Sequence, residues 1–316
     1  MTLFSSLNPK HLGLRSLRAR LRRTWPLFVL LMPAIVYLLI FNYYPMYGAI
    51  IAFKDFKITQ GIWGSKWVGL KHFEKFVSYY QFPQILKNTI TISLYSTVAA
   101  FFVKLILSLA LHCMRSARYK KVIQTVTYMP HFISTVVMVG MLIRFLNPTL
   151  GPISKVIQAL GGTSRDLMGI PSAVPHLYVW SGIWQNAGWA TILYLATLSG
   201  VDPTLHEAAI VDGATRMKRI WHIDLPTLAP TIVITLIMDV GRIMSVGADK
   251  MLLMQNDLNL SATQIISTYV YDIGIASSTP RYSYAAAISL FNTVINFTLL
   301  VLTNTISKKL NQSSLW

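Results

Sequence analysis

Six predominantly apolar stretches constrain this chain more than any other feature. They are Trp25–Gly48, Thr89–Leu111, Val122–Leu146, Val174–Leu198, Leu228–Val246 and Tyr284–Ile306. Each is close to the roughly 20 residues that a helix needs to cross the hydrocarbon core at about 1.5 Å per residue. Only helices satisfy their own backbone hydrogen bonds in a solvent without water, so the expected fold is an all-α integral membrane protein with six transmembrane helices. Charged residues make up only 12% of the 316 residues and hydrophobic ones 53%. Soluble domains carry about 25% charged residues, so the chain lacks the charge to cover a soluble surface of this size. A disordered tail, a coiled coil and an ordinary cytosolic enzyme are excluded on the same ground.

The net charge of +17 would suggest nucleic acid in a soluble protein. Here its placement fits a positive-inside bias, and no nucleic-acid partner is expected. One set of connections carries Lys10, Arg15, Arg18, Arg20, Arg22 and Arg23 before the first span, and Arg115, Arg118, Lys120 and Lys121 after the second. Arg216, Lys218 and Arg219 follow the fourth span, and Lys308 and Lys309 the sixth. That makes fifteen basic residues against ten on the opposite side, six of those ten lying in one long loop. Both termini are therefore expected in the cytoplasm. Asn42-Tyr43-Tyr44-Pro45 lies at the end of the first span where a small-residue cleavage site would be needed, so that span reads as an uncleaved signal anchor.

The expected organisation is a basic cytoplasmic segment (1–24), a six-helix domain (25–306) and a cytoplasmic tail (307–316). Residues 49–87 and 247–283 are expected as external loops and 199–226 as a cytoplasmic loop. The first external loop is too long for a turn and is expected to form a small folded element.

Familiar catalytic patterns are missing. There is no G-x-x-x-x-G-K-[ST], no H-E-x-x-H and no G-x-S-x-G. His11, His72, His112, His131, His176, His206 and His222 show no ligand spacing, and Cys113 is the only cysteine, so no metal site or disulfide is expected. No catalytic residue and no cofactor are assigned to the chain. Work against a gradient would draw on a partner or an ion.

The loop Val201–Pro226 carries the most specific signal. Asp202 is a good N-cap, and Pro203 suits the first helical position. Leu205–Val211 can form about two turns, and Gly213 fits a left-handed helix end. A basic segment with Ile220, Trp221 and Ile223 as its apolar face follows, and Leu225-Pro226 is expected to end it before the fifth span. Glu207, Ala208, Ala209, Gly213, Ile223, Leu225 and Pro226 match E-A-A-x3-G-x9-I-x-L-P at every fixed position. This resembles the coupling loop of permease subunits in type I ABC importers. The stretches Phe41–Lys57 (FNYYPMYGAIIAFKDFK) and Trp67–Phe76 (WVGLKHFEKF) are similar to the maltose-permease-like subgroup for complex sugars, including lipo-oligosaccharide and alginate permeases.

The resemblance implies a permease in which the loop helix docks on a separate ATPase subunit. Small Ala208 and Ala209 permit close approach, and Glu207 can pair with a basic group. It further implies a second homologous permease, two ATPase subunits that hold ATP and Mg, and an extracytoplasmic solute-binding protein. The expected cargo is an oligosaccharide, with outer-loop cations hinting at an acidic one. A permease for an amino acid or phosphate, and a transporter using protons through Asp239 or His131, are the rivals.

Polar residues at membrane depth are costly and usually face protein or water. Asp239 and Arg242 are spaced to pair at i, i+3 on one helix face and are expected to neutralise each other or a neighbouring helix; alternatively Arg242 faces the pathway and meets an acidic or hydroxylated substrate. Lys104 and Arg144 are expected to reach toward an interface. Trp180, Trp184, Gln185, Asn186 and Trp189 could line a saccharide path or simply pack. Asn292 and Asn296 could join helices or touch substrate. Pro130 and His131 suggest a kink in the third span.

Overall fold

The computed structural model describes residues 14–309, 314 and 315. Residues 1–13, with Lys10, and 310–313 and 316 of the tail lie outside the described residues. The long helices and the loop helices that matter for the site are α1 Leu14–Leu38, α2 Phe82–His112, α3 Ala117–Tyr128, α4 Thr135–Phe145 and α5 Val174–Ser199. They continue with α6 Pro203–Val211, α7 Leu225–Val240, α8 Ala248–Met254 and α9 Tyr282–Lys309.

Six equivalent spans become three kinds of element. Thr24–Phe53, Phe82–His112, Arg216–Val240 and Tyr282–Lys309 are long and apolar enough to cross a bilayer. The third expected span is broken: α3 and α4 meet at 99° and form one crossing only if taken together. Pro130 has no N–H to continue the ladder, the chain tightens into a 3-10 turn at Met129–Phe132, and Ser134 caps a new helix by accepting from Val137 N–H. The 26-residue α5 has the length, but Gly, Trp, Gln and Asn dilute its apolar character.

Prolines shape two of the long helices in the same way. A π-turn at Leu39–Tyr43 precedes Pro45, and another at Ile220–Asp224 precedes Pro226. A proline ring clashes with the carbonyl four residues back. Here Tyr44 N–H bonds to Leu39 O and Leu225 N–H to Ile220 O, so the widened turn relieves the clash without breaking the helix. The expectation that Leu225-Pro226 ends the basic segment is therefore corrected: helical structure runs on from Arg216 to Val240. The far end is corrected too, because the helix stops at Val240 rather than Val246, with Gly241 as its cap. A side chain at Gly241 would sit 2.5 Å from Leu300 of α9.

The stretch expected as the first external loop folds as a small element. A 3-10 segment, Tyr47–Phe53, leads into a two-stranded antiparallel pair in which Lys54 faces Trp67 and Asp55 faces Lys66. A short helix, Lys71–Val77, follows and packs with that segment against α9.

The most extensive helix contact is between α2 and α5. One apolar cluster gathers Ile92, Met138, Val174, Val246, Met251 and Ile265; a second gathers Phe76, Ile85, Ile266, Tyr284 and Ile288. Tyr194, Leu198 and Leu228 close the end nearer α6. Gly188 lets α5 approach α3, since a Cβ there would lie 2.2 Å from the Thr127 carbonyl oxygen. Gly188→Ala should therefore destabilise the protein by about 1–3 kcal/mol, the usual cost of overpacking. Thermal unfolding of the detergent-purified complex checks this, and an unshifted midpoint would contradict the close approach.

Candidate functional site

Two regions hold the residues singled out from the sequence. The first is the loop between α5 and α7. Asp202 caps α6 by accepting from Thr204 N–H at 2.9 Å. The helix ends in a Schellman closure: Ala214 N–H donates to Ala209 O at 2.8 Å and Gly213 N–H to Ile210 O at 3.0 Å. Gly213 has φ +72°, a left-handed value that favours glycine. Glu207 and Ala208 are exposed, and Ala209 is half-buried. Leu205, Ile210 and Val211 are also exposed, Val211 at 87%. This short helix thus presents apolar side chains to its surroundings with one carboxylate among them. Of the other motif residues, Ile223 lies in the π-turn, and Leu225 and Pro226 open α7.

The second region is a cavity of about 440 Å³ between α2, α5 and the end of α7. It brings together Gln185, Asn186, Asp239 and Arg242. Gln185 donates to Ile133 O at 2.8 Å, while Asn186 meets His131 Nδ1 at 3.0 Å and donates to Gly182 O. Trp189 stacks on His131 with ring centroids 4.5 Å apart. Trp180 and Trp184 line a different, apolar groove against α4. The Trp180 indole N–H donates to Tyr95 at 2.8 Å. Asn296 fastens α9 to the chain after α7, accepting from Met244 N–H and donating to Ser245. Asn292 lies one turn earlier on α9 and does not line the cavity.

Of the two expected partners for Asp239, the structure shows the neighbouring helix and not Arg242. α7 ends between Asp239 and Arg242, and Asp239 pairs with Lys104 of α2 at 3.0 Å. Lys104 is buried, so it does not reach for an interface; Arg144 is exposed in the last turn of α4. Arg242 has no acidic group within 4 Å among the described residues. Sequence reading missed Lys250 of α8, which lines the cavity, donates to Tyr178 O and lies 4.5 Å from the Tyr178 ring centroid. It also missed Ser93, Ser96 and Thr97 on the α2 wall. Their i, i+3, i+4 spacing is a hydroxyl stripe that the sequence does display.

A third arrangement was invisible in one dimension. His112, His206 and Asp224 are far apart in sequence, yet their potential ligand atoms lie within 4.8 Å of one another.

Residues 103–312 match the family described as the binding-protein-dependent transport system inner membrane component. The chain belongs to this family. It is a transport subunit rather than an enzyme. It is 40% identical to protein LplB of Bacillus subtilis over 94% of this chain and 93% of the relative. It is 36% identical to the polygalacturonan/rhamnogalacturonan transport system permease protein YteP of the same organism, over 92% and 90%. A solved bacterial alginate ABC transporter, in complex with an alginate pentasaccharide-bound periplasmic protein, contains a chain that superposes with a TM-score of 0.85. That chain is 33% identical, over 94% of this chain and 99% of its own length.

The Lys104–Asp239 pair is asymmetric, with side chains 11% and 43% exposed. Losing the carboxylate strands a buried cation; losing the cation leaves a carboxylate half in water. Asp239→Asn should therefore cost about 1–3 kcal/mol and more than Lys104→Met. Thermal inactivation of the purified complex ranks the two, and the reverse order would contradict this assignment.

Proposed function

We propose that this chain is one of two permease subunits of a bacterial ABC importer that moves an acidic oligosaccharide inward by ATP-driven alternating access. The observation that carries the substrate class is the excess of positive charge in the cavity. Its one carboxylate, Asp239, is already paired with Lys104, which leaves Arg242 and Lys250 facing the space. Gln185, Asn186, Ser93, Ser96 and Thr97 add amide and hydroxyl groups suited to sugar hydroxyls. The names of the relatives point the same way, since polygalacturonan and alginate are both acidic polysaccharides. A cavity of about 440 Å³ takes part of such a chain, and a second permease would complete the path.

The coupling role falls to α6. An exposed apolar patch on a short rigid rod is a surface made for a partner, and Glu207 supplies a charge for pairing. The partner is an ATPase subunit, present in two copies, where ATP and Mg bind. A solute-binding protein delivers the sugar on the opposite face. With α6 in the cytoplasm, both termini are cytoplasmic. ATP-driven closure of the ATPases moves α6, and the spans tilt to expose the cavity alternately. Proton coupling is disfavoured because Asp239 is held in an ion pair and His131 lies between Trp189 and Asn186.

Gly213→Val forces a β-branched residue into the left-handed region, while Gly213→Asn is tolerated there. Uptake per ATP hydrolysed should fall sharply for the first and little for the second, with membrane insertion intact in both. Unchanged uptake for Gly213→Val would remove the coupling role. Burial pushes the Lys250 ammonium down to about 8. It is charged below that pH and neutral above it, so uptake of an acidic oligosaccharide should decline as the outer pH rises from 7 to 9. Lys250→Arg keeps its charge throughout and should flatten that profile; an identical decline in both proteins would count against a role for Lys250.

A further inference from the structure

We propose that His112, His206 and Asp224 form a site for a divalent transition metal of the zinc class, tying the loop helix to the ends of two spans. His112 is the last residue of α2, His206 sits on α6 directly before Glu207, and Asp224 closes the π-turn that leads into α7. His206 Nε2 lies 3.2 Å from Asp224 Oδ1, and His112 Nε2 lies 3.6 Å from the same oxygen. Tetrahedral zinc with bonds of about 2.0–2.1 Å sets its ligand atoms about 3.3–3.4 Å apart. The two observed separations bracket that value.

An ordinary imidazole–carboxylate pair does not account for the arrangement. Asp224 is 1% exposed, yet its Oδ1 makes no hydrogen bond. His206 Nε2 is likewise buried without one: it lies within ion-pair distance of Asp224 Oδ1, but the two do not meet in hydrogen-bond geometry. A buried carboxylate oxygen and a buried imidazole nitrogen left without hydrogen bonds are costly, and an ion between them satisfies both. Two imidazoles and one carboxylate make a donor set suited to zinc, with one position left open. The three residues line a pocket of about 270 Å³ together with Arg115, Arg216 and Arg219. Arg219 Nε is also buried without a partner. The guanidinium groups favour an anionic fourth ligand, such as hydroxide or chloride, which offsets the charge of the ion.

The three ligands come from three elements, so a bound ion cross-links α6 to α2 and α7. Zinc then restrains movement of the loop against the spans, whatever solute the transporter carries. The test uses the complete transporter purified without a polyhistidine tag, stripped with chelator, equilibrated with Zn²⁺ and freed of excess. Elemental analysis should find one more zinc per copy of this chain than in the His206→Ala complex; sites on partner subunits cancel in the comparison. Cobalt in place of zinc should give tetrahedral visible bands that Asp224→Asn removes. If either variant fails to assemble, X-ray absorption on the zinc-loaded wild type decides, with nitrogen and oxygen neighbours expected at about 2.0–2.1 Å. Equal zinc in wild type and His206→Ala, or no zinc retained by the wild type, would overturn the site and leave a plain imidazole–carboxylate pair. Metal content is read without transport, so this result is independent of the proposed substrate.

Discussion

The close packing of α2 against α5 is the contact on which the rest of the structure depends. Lipid offers no hydrophobic gain for bringing two apolar helices together, so shape and internal polar bonds have to do it. Here they do so locally. Thr89, fully buried on α2, donates to Ile85 O and accepts from Ile266 N–H, which pins the segment before α9 to the α2 wall. Nearer α6, Tyr194 and Thr197 of α5 meet Thr235 and Thr231 of α7 at 3.0 and 2.9 Å. With α2 and α7 fixed against α5, Lys104 and Asp239 fall within reach of each other and the cavity wall is set.

The electrostatics of the cavity follow from that frame. Arg242 could have cancelled Asp239 had α7 continued for one more turn. The helix instead ends at Gly241, Arg242 lies beyond it, and the carboxylate pairs with Lys104 across the bundle. The same two residues thus give an ion pair and an uncompensated cation, where an unbroken helix would have given a neutral couple.

Much of the fold was legible in the sequence because lipid imposes a simple rule on apolar run length. The loop helix was equally legible, since Asp202, Pro203 and Gly213 act through local backbone chemistry. What escaped was non-local. Pro130 signalled a kink, but the 99° turn also needs Ser134 as a new cap. Pro226 read as a stop, and the π-turn that rescues the helix leaves no mark in hydropathy. Trp180 and Trp184 were placed on the right helix, yet Gln185 and Asn186 face the cavity while the two indoles face the α4 groove. The meeting of His112 with His206 and Asp224 depends on three elements converging, which residue spacing cannot encode.

The unbroken run from Arg216 to Val240 has a mechanical consequence. Its 25 residues span about 37 Å at 1.5 Å each. A helix of that length that tilts as one body by about 10° around one end displaces the other by roughly 6 Å, more than a helical turn. Had Pro226 broken the shaft, the joint would have absorbed the tilt. By preserving continuity, one extra residue in a single turn makes the shaft an amplifier, and Asp239 rides near its tip.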